Sequence, residues 1–425
     1  MVDFNKVRFL KDANIIPGDR WVYVADFNEE PVKEVKEGEK EEYARVDSEI
    51  KDISYILERG ASVSILTSRG RFGDSQEDMD LCFLVPYLSR KLSEKLERRI
   101  EVKYFPGNVS DDAIRFAKSL EAKEIAIMGN TRQHEGEESE DKRKSRELAE
   151  RFSKLGKYVA IGGFGKAHRK NASNYRILDF LPGFMTESML EEMVSIGYWA
   201  GRQENILSVA VLGGVKKEKI TIGLEGFIET YDEIIPGGIV LNTILKVRGF
   251  EIGDSVITEK EKSFEKEVGI ILERNKKKFP PSIIHVPKRV IIARKTDTGY
   301  RDMVSISLED QKRDRVPKGY RIVSFKLNRD TKVILDEVMN RRGRLVIAGT
   351  PDLYKEGFGW ATNEIMERAR RPEVRTLVLG GDTTREVDYK GKTSTGGGSS
   401  LCFLAYGTTP VFEKLKRNKE KFMRI

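Results

Sequence analysis

Cysteine and histidine are scarce in this 425-residue chain, and each scarcity closes off a class of chemistry. Two cysteines, Cys82 and Cys402, exclude a disulfide framework and any four-cysteine zinc site. Three histidines, His134, His168 and His285, leave too few ligands for a histidine-rich metal centre. No apolar run approaches the ~20 residues that span a bilayer, and the N-terminal MVDFNKVRFLKD lacks the apolar stretch of a signal peptide. A cytoplasmic protein with no membrane partner is expected. A strong excess of one charge is also missing: 76 Lys+Arg stand against 68 Asp+Glu, a net +8. That surplus fits either a nucleic-acid surface or a concentrated site for a small anion, and placement must decide between them.

What is present is a globular composition, 39% apolar and 34% charged, which excludes wholesale disorder. At roughly 100–200 residues per domain the length predicts two or three domains. Short apolar strands alternate with amphipathic helices. The first set has strands at 21–27, 63–67, 101–105, 124–128 and 157–161, with helices at 43–59, 80–97, 110–120 and 140–154. A helix over 186–202 leads to a second set, with strands at 207–212, 232–235, 283–286, 290–293, 344–348 and 374–379. This alternation predicts an α/β fold of two Rossmann-like, three-layer domains with parallel sheets, joined by a hinge helix. The runs Glu135–Lys144 and Lys276–Lys278 read as solvated faces.

Ligands of such sheets bind outside the carboxyl ends of the strands, so the residues just after each strand carry the functional signal. In the first half these are Asp26-Phe27-Asn28, Arg45 opening the next helix, Ser68-Arg69-Gly70-Arg71, Asn130-Thr131-Arg132, and Phe164-Gly165-Lys166-Ala167-His168-Arg169. The guanidinium fork matches phosphate and carboxylate in a bidentate way, and several arginines at successive strand ends suit a small polyanion. In the second half the strand ends are glycine-rich: Gly213-Gly214 with Lys216 and Lys219, Pro236-Gly237-Gly238, Gly380-Gly381-Asp382-Thr383, and Gly396-Gly397-Gly398. Glycine and helix N-termini let backbone amides approach phosphate, lysine adds a point charge, and Asp382 offers an oxygen ligand for Mg²⁺. Together they describe a nucleotide half-site. Gly391-Lys392-Thr393 is not a P-loop ending, because Glu386 stands where that motif needs glycine.

These residues resemble the phosphoglycerate kinase family, in order and across nearly the whole chain. VADFNEEP (24–31) is similar to VRVDFNVP, TSRGR (67–71) to SHLGR, GNTRQH (129–134) to ENVRFH, and FGKAHRKNAS (164–173) to FGTAHRAHAS. VLGGVKKEKI (211–220) is similar to ILGGAKVSDKI, PGGIVLNTILKVRGFEIGDS (236–255) to GGGMANTFLKAQGYEVGKS, LGGDTTREV (379–387) to GGGDSAAAV, and STGGGSSL (394–401) to STGGGASL. The resemblance implies reversible phosphoryl transfer between ATP and the carboxylate of 3-phosphoglycerate, with Mg²⁺. It implies an acid-substrate domain over 1–185, a hinge helix over 186–202, a nucleotide domain over 203–405, and a C-terminal segment, 406–425, that returns to the first domain. Asp26, Asn28, Arg45, Ser68, Arg71, Arg132 and Arg169 would hold the acid. Arg45 and Lys216 would act on the transferring phosphoryl group. Gly213, Gly214, Lys216, Lys219, Gly238, Glu356, Gly380, Gly381, Asp382, Thr383 and Gly396 to Gly398 would hold ATP or ADP, with Asp382 on the metal. The partners are then a nucleotide and a small phosphorylated acid, nucleic acid is disfavoured, and a monomer is expected.

The chain departs from the family's motifs at several points. Ser68 stands where SHLGR has histidine, Gly129 where ENVRFH has its acidic residue, Gly162-Gly163 where Asp-Ala precedes FGTAHR, and Asn171 where the second histidine falls. Ala348 replaces the asparagine of WNGPxGVFE, which leaves Glu356 as that loop's candidate carboxylate. Two alternatives therefore stay open: a kinase for another phosphorylated acid, and a nucleotide-binding regulator without turnover. The C-terminal KLKRNKEKFMRI is longer and more basic than the family pattern.

Overall fold

Apolar segments bounded by polar ones form the strands in a computed structural model of the chain, which describes residues 3–31, 42–259, 262–310 and 313–423. Two units result: Met1–Ser195 with Thr408–Ile425, and Ile196–Gly407. The chain thus crosses between units twice, at 195–196 and 407–408.

The first unit contains β1 (Arg20–Val24), α1 (Ala44–Glu58), β2 (Ser62–Leu66), α2 (Gln76–Met79), α3 (Leu84–Leu96), β3 (Val102–Phe105), α4 (Asp111–Ser119), β4 (Ile125–Met128), α5 (Lys142–Ser153), β5 (Tyr158–Ile161) and β6 (Gly183–Met185), followed by α6 (Glu187–Ile196). All six strands are parallel, in the order β3-β4-β2-β1-β5-β6. Trp21, Tyr23, Val63, Ile65, Ile125 and Ile127 form one core with Val46, Ile50 and Ile53 of α1 and Leu88 and Leu92 of α3. The intervening Val22, Val24, Leu66 and Met128 are also buried, so both sheet faces are covered, as parallel strands require. β1 lies between β2 and β5, and the topology reverses there. The mouth of the sheet at β1 and β5 is the switch point where such folds bind ligands.

The second unit contains β7 (Ser208–Leu212), α7 (Glu225–Thr230), β8 (Glu233–Pro236), α8 (Gly238–Val247), β9 (Thr258–Glu259), β10 (Lys262–Ser263), α9 (Glu265–Lys276), β11 (Ile283–Ile284), β12 (Arg289–Thr296), β13 (Gly299–Ser307), β14 (Tyr320–Phe325), α10 (Arg329–Asn340), β15 (Arg344–Ala348), α11 (Trp360–Ala369), β16 (Arg375–Leu379), α12 (Gly381–Glu386), β17 (Lys392–Ser394) and α13 (Gly398–Tyr406). A parallel sheet runs β11-β8-β7-β15-β16-β17, with its switch point at β7 and β15. The segment 290–293 does not join it. It lies in β12 of a separate antiparallel sheet, β13-β12-β14. Val290, Ile292, Ile322 and Phe325 of that sheet pack into the core with Leu241, Leu345 and Ile365, so apolar burial alone did not reveal the pairing partner.

Two further expectations are corrected. The helix expected over 186–202 stops at Ile196 and gives way to a 3-10 turn at Gly197–Trp199, because glycine is a poor helix residue. The run 135–144 is not wholly solvated: Glu137 is buried and accepts from Thr131 Oγ1, Ser173 N and Ser173 Oγ.

The basic C-terminal helix, α14 (Pro410–Lys421), belongs to the first unit and uses its polar groups there. Buried Asn418 accepts from Gly183 N (2.7 Å) and donates to the carbonyls of Leu178 (2.7 Å) and Leu181 (2.8 Å). Lys419 donates to the carbonyls of Asn5 and Val7, and Lys414 pairs with Asp179. These lysines bind backbone and carboxylate oxygens of their own unit. Arg424 and Ile425 lie outside the described residues.

Candidate active site

The first half-site gathers at the carboxyl ends of β4, β2, β1 and β5. Asp26 follows β1 and is 8% exposed. Its carboxylate pairs with Arg45 Nη1 at 3.2 Å, from the first turn of α1, and its amide donates to Glu49 Oε1 at 3.0 Å, one turn further along that helix. A Cβ at position 165 would stand 2.3 Å from Asp26 Oδ2, so any larger residue there would displace that carboxylate. Asn130 fixes the loop after β4: its side chain donates to the carbonyls of Arg69 and Met79 and accepts from Arg132 N. Arg132 then reaches Gly70 O, which ties it to the loop after β2. Glu138 bridges two of the expected arginines, accepting from Arg132 Nη2 at 2.9 Å and Arg169 Nη1 at 2.7 Å. Burial works to raise the Glu138 carboxyl, but Arg132 and Arg169 outweigh it and hold the group below its ordinary range.

The contacts thus form two sets at the strand ends, Asp26 with Arg45 and Glu138 with Arg132 and Arg169, and buried Lys166 senses the charge of both through Asp26 and Arg132. Ser68 is buried at the end of β2, and its Oγ has no hydrogen-bond partner among the described residues. Among the described residues no hydrogen bond or ion pair joins the side chains of half-buried Asn28 or exposed Arg71 to this cluster. Arg69 has a structural role instead: it donates to the carbonyls of Glu77 and Asp80, pairs with Glu30 at 2.6 Å and lies over the Phe83 ring.

Three charged groups to which the sequence motifs assign no role stand at this half-site, two of them buried. Glu49 is 3% exposed, and burial pushes its carboxyl up to about 8, against the opposing hydrogen bond from the Asp26 amide. Lys166 is 5% exposed, and burial lowers its ammonium, with Asp26, Glu137 and Glu49 pulling the other way and Arg132 adding to the lowering. Glu138 is the third. Glu49 and Lys166 each left a signal in the sequence. Glu49 sits on the apolar stripe of α1, three residues after Val46, and Lys166 stands where the motif FGTAHR has threonine. Gly162 completes the arrangement: a Cβ there would meet Glu49 Oε2 at 2.2 Å and the Tyr23 hydroxyl at 2.8 Å.

In the second unit the glycines serve loop packing first. A Cβ on Gly213 would stand 2.1 Å from Thr350 O, and one on Gly238 2.2 Å from Gly214 O. The amides of Gly213, Gly214 and Gly238 are taken by the carbonyls of Ala348, Thr350 and Pro351. These three amides are therefore engaged within the fold, and the cations beside them carry the local charge. Lys216 and Lys219 form no ion pair among the described residues; burial and then the charge of Lys216 lower the Lys219 ammonium. Gly380, at φ +100°, turns the chain into α12, whose first-turn amides at Gly381, Asp382 and Thr383 have no intrahelical partner. Gly397, at φ +52°, does the same before α13, while the Gly396 amide is held by Ser394 Oγ at 3.2 Å and Gly398 opens the helix. Lys355 pairs with Glu386 of α12 at 3.1 Å, which brings the loop of Glu356 to the helix of Asp382. Burial and then the nearby Glu356 carboxylate raise the Tyr300 hydroxyl. Asp352, in the same loop, is a helix cap, accepting from the amides of Ala361 and Thr362 and from the Ser324 hydroxyl.

The comparison with known proteins decides what the two half-sites belong to. A family model for phosphoglycerate kinase matches residues 11–406. The chain belongs to the phosphoglycerate kinase family. It is 29% identical over 409 residues to the phosphoglycerate kinase of Finegoldia magna, covering 93% of this chain and 95% of that one. It is 26% identical over 398 residues to that of Pseudothermotoga lettingae, covering 91% and 93%. The crystal structure of phosphoglycerate kinase from Pyrococcus horikoshii superposes with a TM-score of 0.66 at 25% identity, covering 98% of this chain and all of that one. The Coxiella burnetii enzyme gives 0.68 at 22% identity over the same shares, a likeness of fold. Members of this family are phosphotransferases with a carboxyl acceptor, and the α/β fold with two six-stranded parallel sheets agrees with that membership. Among the described residues no helix is long and apolar enough to cross a membrane.

The residues also fit the family's metal in one respect. Among the described residues no three His, Cys, Asp or Glu side chains cluster into a protein-only metal cage. Mg²⁺ does not need one, because it is commonly held by one or two carboxylates together with nucleotide phosphates. Asp382, exposed on the first turn of α12 and paired with exposed Arg385 at 2.8 Å, has the right donor chemistry.

Proposed function

We propose that the chain catalyses reversible phosphoryl transfer between ATP and the carboxylate of 3-phosphoglycerate. The observation that carries this reading is the family match over residues 11–406, supported by the arginines paired with Asp26 and Glu138 at the carboxyl ends of the first sheet's strands. The acid's carboxylate is already ionised at neutral pH, so no general base is needed and scarce histidine is no obstacle. One carboxylate oxygen bonds to the γ-phosphorus while the bond from that phosphorus to the bridging oxygen breaks, and ADP leaves with the electron pair. The chain's task is positioning and charge neutralisation. Arg132 and Arg169 bind the acid's anionic groups once Glu138 is displaced. Arg45, only 3.2 Å from Asp26 and half exposed, is the guanidinium free to follow the transferring phosphoryl group. Lys216 and Lys219, with the first turns of α12 and α13, hold the nucleotide phosphates. Asp382 would hold Mg²⁺, which when bound withdraws charge from the phosphate oxygens. The acid and nucleotide roles fall on different units, and the crossings at 195–196 and 407–408 are the proposed hinge.

The test is a coupled assay of the purified full chain with ATP, Mg²⁺ and 3-phosphoglycerate. Turnover with ADP release is expected. Nucleotide binding without turnover on any phosphorylated acid would overturn the reading.

A further inference from the structure

The acid half-site holds two buried donors that have no hydrogen-bond acceptor among the described residues. One is Ser68 Oγ, on a residue 1% exposed; the other is Lys166 Nζ, on a residue 5% exposed. The backbone around Lys166 is firmly tied: its amide donates to Gly163 O at 3.0 Å, and its carbonyl accepts from Arg169 N and Asn174 Nδ2. The nearby carboxylates have other partners. Asp26 is held by Arg45, Glu49 by the Asp26 amide, and Glu137 by Thr131 and Ser173. None of them hydrogen-bonds the lysine. An ammonium carries three donors and no acceptor, and burying it without an acceptor is costly. The missing complement is a set of anionic oxygens, which is what a phosphorylated acid brings. Lys166 also marks a sequence difference, being a cation where FGTAHR has threonine, in a site where Ser68 has lost the cation-capable histidine of SHLGR.

We propose that Lys166 is a substrate-binding, specificity-setting residue of the acid half-site, its ammonium donating to an anionic oxygen of the bound phosphorylated acid beside Asp26 and Arg132. The cation missing at the end of β2 is thereby supplied from the end of β5. This inference rests on the function proposed above and names one more residue for it.

The experiment measures 3-phosphoglycerate and ATP binding separately, by calorimetry on the full chain, for the parent protein and Lys166→Met. The expected result is at least a tenfold rise in Kd for the acid with Kd for ATP changed less than twofold. Equal weakening for both ligands, or acid binding as tight as the parent's, would overturn the proposal, because a structural cation has no reason to favour one ligand. If Lys166→Met fails to fold, the parent protein still gives an answer. The Lys166 side-chain ¹⁵N resonance, identified as the signal lost in Lys166→Arg, should shift on adding 3-phosphoglycerate and stay in place on adding ATP. An unmoved resonance at saturating acid would overturn the proposal. A parent protein that neither binds nor turns over any phosphorylated acid would overturn the functional reading itself, whereas an active parent with an indifferent Lys166 would remove only the role of this residue.

Discussion

Replacing Glu49 by glutamine should make the first unit more stable, and only at high pH. Glu49 lies beneath the acid half-site, facing the Asp26 amide and carboxylate, the Tyr23 hydroxyl and the Lys166 ammonium, and its carboxyl is pushed up to about 8 by burial. The folded state therefore holds this proton more tightly than the unfolded chain, where the carboxyl titrates near 4.5. Between those values the folded state binds more protons, so its stability falls as pH rises and levels off above about 8. A displacement of roughly 3.5 pH units corresponds to about 5 kcal/mol in full, of which about 4 kcal/mol develops between pH 5 and pH 9. Glutamine mimics the neutral acid and keeps an oxygen for the Asp26 amide, so Glu49→Gln should match the parent to within about 1 kcal/mol at pH 5. At pH 9 it should exceed the parent by several kcal/mol. A chain of two units need not unfold in one step, so the signal must come from the first unit alone. Trp21 is that unit's sole tryptophan, buried against Tyr158 and Phe184. In a background carrying Trp199→Phe and Trp360→Phe, urea titrations read by Trp21 fluorescence at pH 5, 7 and 9 would report it. Parallel stability curves for the two proteins across this range would refute the assignment of a buried, proton-retaining Glu49.

Other perturbations separate binding, chemistry and scaffold. Arg45→Ala should lower kcat by about 100-fold or more, since its charge is needed mainly as the phosphoryl group moves, while the loss of one half-exposed ion pair costs under about 1 kcal/mol of stability; steady-state kinetics and a melting curve read both. Glu138→Gln should lower KM for the acid several-fold at unchanged KM for ATP, because the carboxylate now holding Arg132 and Arg169 competes with the substrate's own anionic groups. Asn418→Ala should destabilise the first unit by about 2–4 kcal/mol, as one amide and two carbonyls lose their partner; the same Trp21 titration measures it.

The parallel sheets were legible because their central strands are buried on both faces and read as unbroken apolar runs such as VSILT and RLVIA. The meeting of Arg132 and Arg169 was legible because this architecture places the strand ends along one edge of the sheet. Other elements left weaker traces. β6 has only three residues, and its first amide is held by Asn418, 235 positions away. β13 is mostly exposed, so no alternation announces it, and β12 looks like one more parallel strand until its antiparallel partners are known.

The same limit explains why the floor of the acid site was missed. Gly162 stands where the motif has an acidic residue, and from the sequence alone that reads as a lost carboxylate. In the fold, the space a side chain at 162 would fill is occupied by the carboxylate of Glu49, delivered from α1 more than a hundred residues earlier. The histidine lost at Ser68 has a similar counterpart in Lys166, on the far side of β1 from it. Read one motif at a time, the chain loses a carboxylate and a cation-capable side chain. Read in three dimensions, both kinds of charge return from other elements. Two of the divergent positions, Gly162 and Ser68, thus have counterparts in Glu49 and Lys166 beside Asp26, and the proposed acid half-site is where this family member's specificity should be sought.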